Sequence, residues 1–402
     1  MIFTATLTAG FSLSSYFSYS FSFVLGLVVG LGLGASASAD AIAELAGTDE
    51  IVDTNTAVID TAALSDLDAL LARLADKRVV FVGESHDRFE DHLNQLAIID
   101  GLHARGKDLA IGMEFFQQPF QPQLDAFVAG ELGEAALLRQ TEYFERWRFD
   151  YRLYRPLLRF ARDHGIPLIA LNIEREITSK VGDGGIASLD EAELKRIPAD
   201  IDRDNALYRE HVKAVFNMHP VGENAVFEHF LEVQLLWDEG MAERAATYLM
   251  RHPEKTLVVL AGSGHVEYDR GIPSRLQRRL QVPSATLING QMRPFDPNMA
   301  DYILYPQAVE LPKTGLLGVM LDTESEGEGI GVQGFSANSG AKTAGVEEGD
   351  RILRIADTPI GGYADIRIAL MDSRPGQKLP VEILRKPLIG SAERMTFEVE
   401  LH

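Results

Sequence analysis

Val79-Val80-Phe81-Val82 runs directly into Gly83-Glu84-Ser85-His86, and Leu257-Val258-Val259-Leu260-Ala261 runs directly into Gly262-Ser263-Gly264-His265. Each joins an unbroken apolar run, the pattern of a strand buried on both faces, to the spacing Gly-x-x-His. Glycine lets the backbone turn sharply and come close to a bound group. In open α/β sheets ligands sit in the crevice beyond the carboxyl ends of the strands. Two imidazoles nearly 180 residues apart in sequence are therefore placed to converge on one site. Neutral imidazole is the commonest metal ligand and carboxylates complete such sites, so a metal or cofactor centre is the leading chemistry.

Outward from these two strands the same alternation continues. Strand-like runs at 109–113, 167–171 and 284–288 are separated by helical stretches at 90–105, 120–129, 151–164, 203–217 and 225–251. That pattern predicts an α/β fold with a mostly parallel sheet and crossover helices. The segment between 171 and 257 is too long for a simple crossover and mostly helical, so a helical insertion near the crevice is expected. Polar residues follow four of the strands: His86, Glu114, Asn172 and His265. Such residues also cap the next helix, and singly each would carry little.

The metal candidates are His86 and His265 with the carboxylates Glu84 and Glu114. Glu114 is the candidate catalytic base if the chemistry is hydrolytic. His92, six residues past His86 on a helix, reads as a surface residue. Asp238, in Leu236-Trp237-Asp238-Glu239-Gly240-Met241-Ala242, is placed to point into the crevice from the helical insertion. Tyr268, three residues past His265, reads as a phenolate ligand or a packing residue. Tyr143, Trp147, Tyr151 and Tyr154 interleave with Arg146, Arg148, Arg152 and Arg155. The cluster suits a planar anion such as a porphyrin with propionates, and cation–π packing explains it equally well. His103, His164 and His252 read as solvated.

The chain has 402 residues, 46% hydrophobic, with a formal charge of −21 and no cysteine. The length calls for more than one domain. The acidic balance, without a basic cluster, excludes nucleic acid as a partner, and the lack of cysteine excludes disulfides and thiolate metal sites. Residues 1–39 carry no charge: an apolar stretch, Phe23 to Leu33, precedes Ala37-Ser38-Ala39 and Asp40. That matches a secretory signal with a small-residue cleavage site, although a basic start is missing and the first Lys or Arg is Arg73. An uncleaved membrane anchor is the alternative. Residues 40–65 read as a loose linker, 66–300 as the α/β domain and 301–314 as a connector.

A distinct unit spans 315–402. Gly315-Leu316-Leu317-Gly318-Val319 is followed by a Glu/Gly-rich hairpin, by Ser339-Gly340-Ala341-Lys342-Thr343-Ala344-Gly345-Val346 and by Glu348-Gly349-Asp350-Arg351-Ile352-Leu353. This unit resembles a β-rich PDZ domain of the bacterial envelope-protease type. The resemblance implies that Gly315, Leu316, Leu317 and Gly318 expose backbone N–H groups to a peptide or protein C-terminal carboxylate, with a strand edge pairing to the peptide.

The longer domain also carries a resemblance. Gly83-Glu84-Ser85-His86-Asp87, Met113-Glu114-Phe115, Tyr154-Arg155-Pro156-Leu157-Leu158, Leu171-Asn172-Ile173-Glu174-Arg175, Trp237-Asp238-x-x-Met241-Ala242 and Gly262-Ser263-Gly264-His265-Val266 with Gly271-Ile272-Pro273 occur in collinear order. Over 79–290 the chain resembles the ChaN-like haem-binding domain of the Tiki/erythromycin-esterase-type superfamily. The resemblance implies haem or iron handling in the bacterial envelope, with Tyr154, Arg175, His265 and Tyr268 as the haem-binding set and a homodimer as a further expectation. The wider superfamily implies the alternative: a hydrolase or peptidase holding a divalent metal such as Zn or Mn. The chain departs from the family in lacking a lipoprotein cysteine and in carrying the PDZ-like unit. Two functions are therefore expected to compete: an exported periplasmic protein that binds haem or iron, or a metal-dependent peptidase with substrate presented by the PDZ unit.

Overall fold

Strands buried on both faces need layers of helix above and below them, and the first two-thirds of the chain supplies both. The computed structural model describes residues 65–218, 226–291, 293–386 and 391–402. The expected signal (1–39) and nearly all of the expected linker (40–65) lie outside the described residues. In chain order the first domain comprises α1 (Leu67–Leu74), β1 (Val79–Glu84), α2 (Phe89–Ala104), β2 (Leu109–Gln117), α3 (Gln121–Val128), α4 (Glu134–Gln140), α5 (Tyr143–Arg146), α6 (Tyr151–Asp163) and β3 (Leu168–Asn172). The helical insertion follows as α7 (Arg175–Gly184), α8 (Glu191–Leu194), α9 (Ala206–Met218) and α10 (Phe227–Arg251). It returns to β4 (Thr256–Gly262), α11 (Ile272–Arg279), β5 (Ser284–Asn289) and β6 (Tyr302–Leu304).

These six strands form one parallel sheet in the order β3-β2-β4-β1-β5-β6. β1 and β4 are neighbours, with Gly83 opposite Ala261 and Glu84 opposite Gly262. The two Gly-x-x-His loops thus leave the middle of the sheet side by side. One face of the sheet packs Leu70, Ile98 and Leu157 from α1, α2 and α6; the other packs Met241, Ala245 and Leu276 from α10 and α11.

Two boundaries differ from the sequence pattern. β2 continues past Glu114 to Gln117, with a register shift against β3 between Met113 and Gln117. Glu114 therefore lies within a strand rather than at its end. Tyr302–Leu304, inside the expected connector, adds a sixth strand beside β5.

The second domain contains β7 (Val319–Asp322), β8 (Ile330–Phe335), α12 (Gly340–Ala344), β9 (Arg351–Ile355), β10 (Thr358–Pro359), α13 (Tyr363–Leu370), β11 (Lys378–Arg385) and β12 (Glu393–Glu400). Its strands pair antiparallel in the order β12-β11-β9-β8-β7, with β10 on β9. It has its own core, including Leu317, Val332, Ile352, Ile366, Leu370 and Ile383. β7 is an edge strand, and Gly318 just before it has φ +76°. A side chain there would meet the Ser339 Cα at 2.6 Å, so only glycine fits. No helix among the described residues is long and apolar enough to cross a membrane.

Candidate functional site

The two loops interlock through their glycines. A Cβ on Gly262 would lie 3.0 Å from His86 Cε1 and 3.2 Å from Nε2; a Cβ on Gly83 would lie 3.1 Å from the Ser263 Cα. Removing both side chains lets each loop rest on the other and seats the His86 imidazole against the backbone of the second motif. Glu114 of β2 locks the junction, its Oε2 accepting the Gly262 N–H at 2.6 Å. Its Oε1 lies 3.5 Å from His265 Nε2.

Each imidazole is oriented from behind by a buried carboxylate. His86 Nδ1 donates to Glu84 Oε1 at 2.5 Å, and His92 Nε2 lies 3.1 Å from Glu84 Oε2. His265 Nδ1 donates to Asp238 Oδ1 at 2.6 Å, and the Tyr208 hydroxyl donates to Asp238 Oδ2 at 2.6 Å. The Tyr154 hydroxyl stands 3.5 Å from both Glu84 Oε1 and the His86 carbonyl, and receives the Trp147 indole N–H at 3.1 Å. A carboxylate on Nδ1 fixes the tautomer and leaves Nε2 for the chemistry. His86 and His265 are each only 7% exposed.

Burial alone would lower both imidazole pKa values, but the paired carboxylates outweigh it. His86 is raised by Glu84, and His265 is pushed up to about 9 by Asp238 and Glu114. Burial would likewise raise the Glu84 carboxyl, yet the His86 and His92 imidazoles and their hydrogen bonds hold it below the usual carboxylate range. Burial, reinforced by neighbouring carboxylates, holds the Tyr154 and Tyr208 phenols protonated, well above their ordinary pKa. The structure thus brings His86, His265, Glu84 and Glu114 into one buried constellation and adds His92, Asp238 and Tyr208. His92, read from sequence as a surface residue, is 2% exposed; its ring packs against Tyr154 at 4.3 Å. Tyr208 on α9 gives no sequence signal beyond an aromatic on an amphipathic helix.

The walls are unequal. Trp147 and Phe149 stand over His86 with ring centroids at 4.7 and 5.0 Å. His265 faces a cavity of about 10 Å³ between α9 and α10, lined by Tyr208, His211, Val212, Val215, Gln234 and Gly264 among others. That is room for about one water molecule, so a porphyrin does not enter on the His265 side while α9 is in place. Among the described residues no group of three or more His, Asp or Glu side chains is arranged as a metal site.

Tyr268 lies elsewhere on the second loop. It is half-buried, in the left-handed region at φ +58°, with its backbone N–H on the Met299 carbonyl at 2.8 Å. Burial and the neighbouring Asp296 carboxylate raise its pKa. The Arg270 guanidinium sits 4.6 Å from its ring centroid. Arg175, at the start of α7, donates to the Glu145 carbonyl at 3.0 Å. Burial and the charges of Arg148 and Arg146 lower its pKa. Tyr154 lies on the His86 side of the constellation and Tyr268 beyond the His265 loop, so the haem-binding set named from sequence is divided. Outside the closed crevice, the half-buried Tyr268 ring carries the Arg270 guanidinium against it.

The family model described as haem-binding uptake, Tiki superfamily, ChaN matches residues 70–276, about half of the chain. The PDZ domain model matches residues 307–384. Protein RETICULATA-RELATED 5, chloroplastic, of Arabidopsis thaliana is 25% identical over 263 residues, 61% of this chain and 35% of that protein. The chain thus spans about a third of that relative's length. Among solved structures, one titled cofacial heme binding to ChaN of Campylobacter jejuni is 17% identical over 61% of this chain and 93% of that one, with a TM-score of 0.49. A serine endoprotease from Yersinia pestis is 25% identical over 22% of this chain and 28% of its own, with a TM-score of 0.18.

Proposed function

Because the chain belongs to the haem-binding uptake family of ChaN proteins in the Tiki superfamily, we propose that it binds haem or iron through its α/β domain and a peptide or protein C-terminus through its PDZ domain. The observation that carries the haem reading is Tyr268: an accessible phenol on the same short loop as His265, with the Arg270 guanidinium against its ring. Haem, when bound, supplies an iron centre that a phenolate or imidazole can ligate and propionates that a guanidinium can pair. Tyr268 must lose the proton that burial and Asp296 favour to act as a phenolate ligand. His265, anchored by Asp238, holds the loop that presents it. Residues 1–39 support export to the periplasm or cell envelope, with a retained anchor as the alternative. The open β7 edge and the Leu317–Gly318 end of the loop support peptide capture by strand addition; the Gly315 and Leu316 N–H groups already donate to the Ser373 and His402 carbonyls.

The test is titration of the purified chain with haem, followed in the visible spectrum beside metal analysis. Uptake with a Soret shift that Tyr268→Phe abolishes supports the reading. Equal uptake by Tyr268→Phe and wild type removes it.

One arrangement favours a second reading. His86 and His265 both have Nδ1 held by a carboxylate, and both approach Glu114. If the crevice opens and His265 gives up its proton, the two Nε2 atoms would hold a divalent cation such as Zn or Mn, and Glu114 would serve as the base for peptide or ester hydrolysis. Bound Zn or Mn in the purified chain, with no haem uptake, supports this reading over the first.

A further inference from the structure

The PDZ domain is held to the α/β domain by more than its connector. α13 buries Ile366 and Leu370 in the PDZ core and lays Ala364 and Ile368, with Met371 just past its end, on the core of the α/β domain. The Arg367 guanidinium sits 5.1 Å from the Phe144 ring centroid of α5. Asp365 accepts from Arg139 Nε of α4 at 2.6 Å. Asp372 is gripped by both terminal nitrogens of Arg155 on α6, Nη2 to Oδ2 at 3.1 Å.

Both ends of this contact lead to a site. On the PDZ side, Ser373 follows Asp372, and its hydroxyl donates to the Gly315 carbonyl at 3.1 Å while Gly315 N–H donates back to the Ser373 carbonyl at 3.4 Å. A side chain on Gly315 would meet the Arg374 carbonyl oxygen at 2.5 Å. The first residue of the Gly315–Gly318 loop is thus laced to the segment bearing Asp372. On the α/β side, Arg155 follows Tyr154, whose hydroxyl stands 3.5 Å from Glu84 and from the His86 carbonyl. Phe144 lies one turn before Trp147, which covers the His86 ring at 4.7 Å.

We propose that the PDZ domain is a latch on the Trp147 wall that covers His86. A peptide carboxylate seated on the Gly315–Gly318 loop shifts Ser373 and Asp372, Asp372 leaves Arg155, and the α5–α6 wall carrying Trp147 and Tyr154 relaxes away from His86. The trigger rests on the reading of that loop as a carboxylate receptor; the dock itself rests on the contacts above. The two-state element is α13, docked or released. Its ion pairs are partly exposed and individually weak, so a peptide that favours the released state can shift the balance. Glu134 also grips Arg155, Nη2 to Oε2 at 2.9 Å, and keeps that side chain ordered once Asp372 departs. Linkage makes the effect reciprocal: a ligand that reaches His86 once this wall relaxes changes peptide affinity by the same factor.

The chain has two tryptophans, Trp147 and Trp237, so Trp237→Phe leaves Trp147 as sole reporter in the full chain. In that background, Asp365→Arg with Asp372→Arg should release the dock, seen as a larger radius in small-angle scattering. Trp147 emission should then shift red and become more open to acrylamide quenching. The exchange Arg139→Asp with Asp365→Arg restores opposite charges at one pair and should keep both readouts near the parent. A released chain with unchanged Trp147 emission overturns the latch, and an undiminished dock overturns the assignment of its contacts. A tryptophan-free decapeptide ending in valine, compared with its C-terminal amide, tests the trigger. Binding with the same red shift supports it, and binding without any shift overturns the latch. No binding beside a positive charge-reversal result removes the receptor reading and leaves the dock coupled to His86.

Discussion

Glu134, at the start of α4, is the anchor of the arginine wall, and its removal has a calculable consequence. Its carboxylate takes two bonds from Arg159, both at 2.8 Å. It takes three from Arg155 at 2.9 to 3.2 Å, with the Tyr151 hydroxyl at 3.3 Å. Burial works to raise its pKa, but the two guanidiniums prevail and hold it at about 2. Against an ordinary value of 4.5, that difference corresponds to about 3 kcal/mol of folding free energy. The site is partly open to water, and screening reduces the usable part to about 1–2 kcal/mol. A carboxyl with a lowered folded pKa contributes stability that is fully present above 4.5 and is lost as pH falls through 4.5 towards 2. Glu134→Gln should therefore cost about 1–2 kcal/mol in urea denaturation at pH 7 and distinctly less at pH 3. An equal cost at both pH values would show that the loss comes from packing, and the electrostatic account of this wall would be wrong.

Asp91 should behave in the opposite sense. Burial raises its carboxyl to about 7 although it accepts the Ser85 N–H at 2.8 Å, so its penalty grows as pH rises from 3.8 to 7. Asp91→Asn should be more stable than wild type by a few kcal/mol at pH 8 and nearly equal to it at pH 3.5, read from paired urea curves. Gly262→Ala puts a methyl 3.0 Å from the His86 ring. It should cost about 1–3 kcal/mol and weaken any metal binding at the paired imidazoles, checked by denaturation beside metal titration. Tyr154→Phe strips the Trp147 indole N–H of its acceptor. A loss of about 1 kcal/mol in thermal unfolding is expected, with altered Trp147 emission.

How far the fold was legible follows from what each strand must bury. Val79–Val82 and Leu257–Ala261 are covered on both faces and so read as unbroken apolar runs. β2 was legible only to Met113, because Glu114 looks like a terminus unless the Gly262 N–H that it accepts is known. Tyr302–Leu304 is three half-buried residues, too short for any period to register. The paired histidines were legible from their repeated glycine spacing. Their partners were less so: Asp238 stood out beside Gly240, which a side chain would drive into Ile173 at 2.5 Å, whereas Tyr208 depends on the course of the insertion. His92 misled for a physical reason. A histidine on a helix with polar neighbours reads as solvated, but Glu84 lies within reach of it and supplies the buried carboxylate that a core imidazole needs.

The two histidine arms repeat one device with different outer layers, and that difference assigns control to different parts of the chain. In each arm a buried carboxylate holds Nδ1 and a protonated phenol stands behind the carboxylate: Tyr154 behind Glu84, Tyr208 behind Asp238. Tyr154 belongs to α6, whose next residue is tied to the PDZ domain through Asp372. Tyr208 belongs to α9, and the Arg275 guanidinium lies 4.1 Å from its ring centroid. Arg275 is 2% exposed, and its Nε lies 3.3 Å from Glu239, the residue after Asp238. The His265 arm is thus braced by buried charge inside the insertion, whereas the His86 arm is braced by partly exposed ion pairs to another domain. Exposed pairs break at lower cost than buried ones, since a buried charge that loses its partner is left unsolvated. Any opening of the constellation should therefore begin at His86.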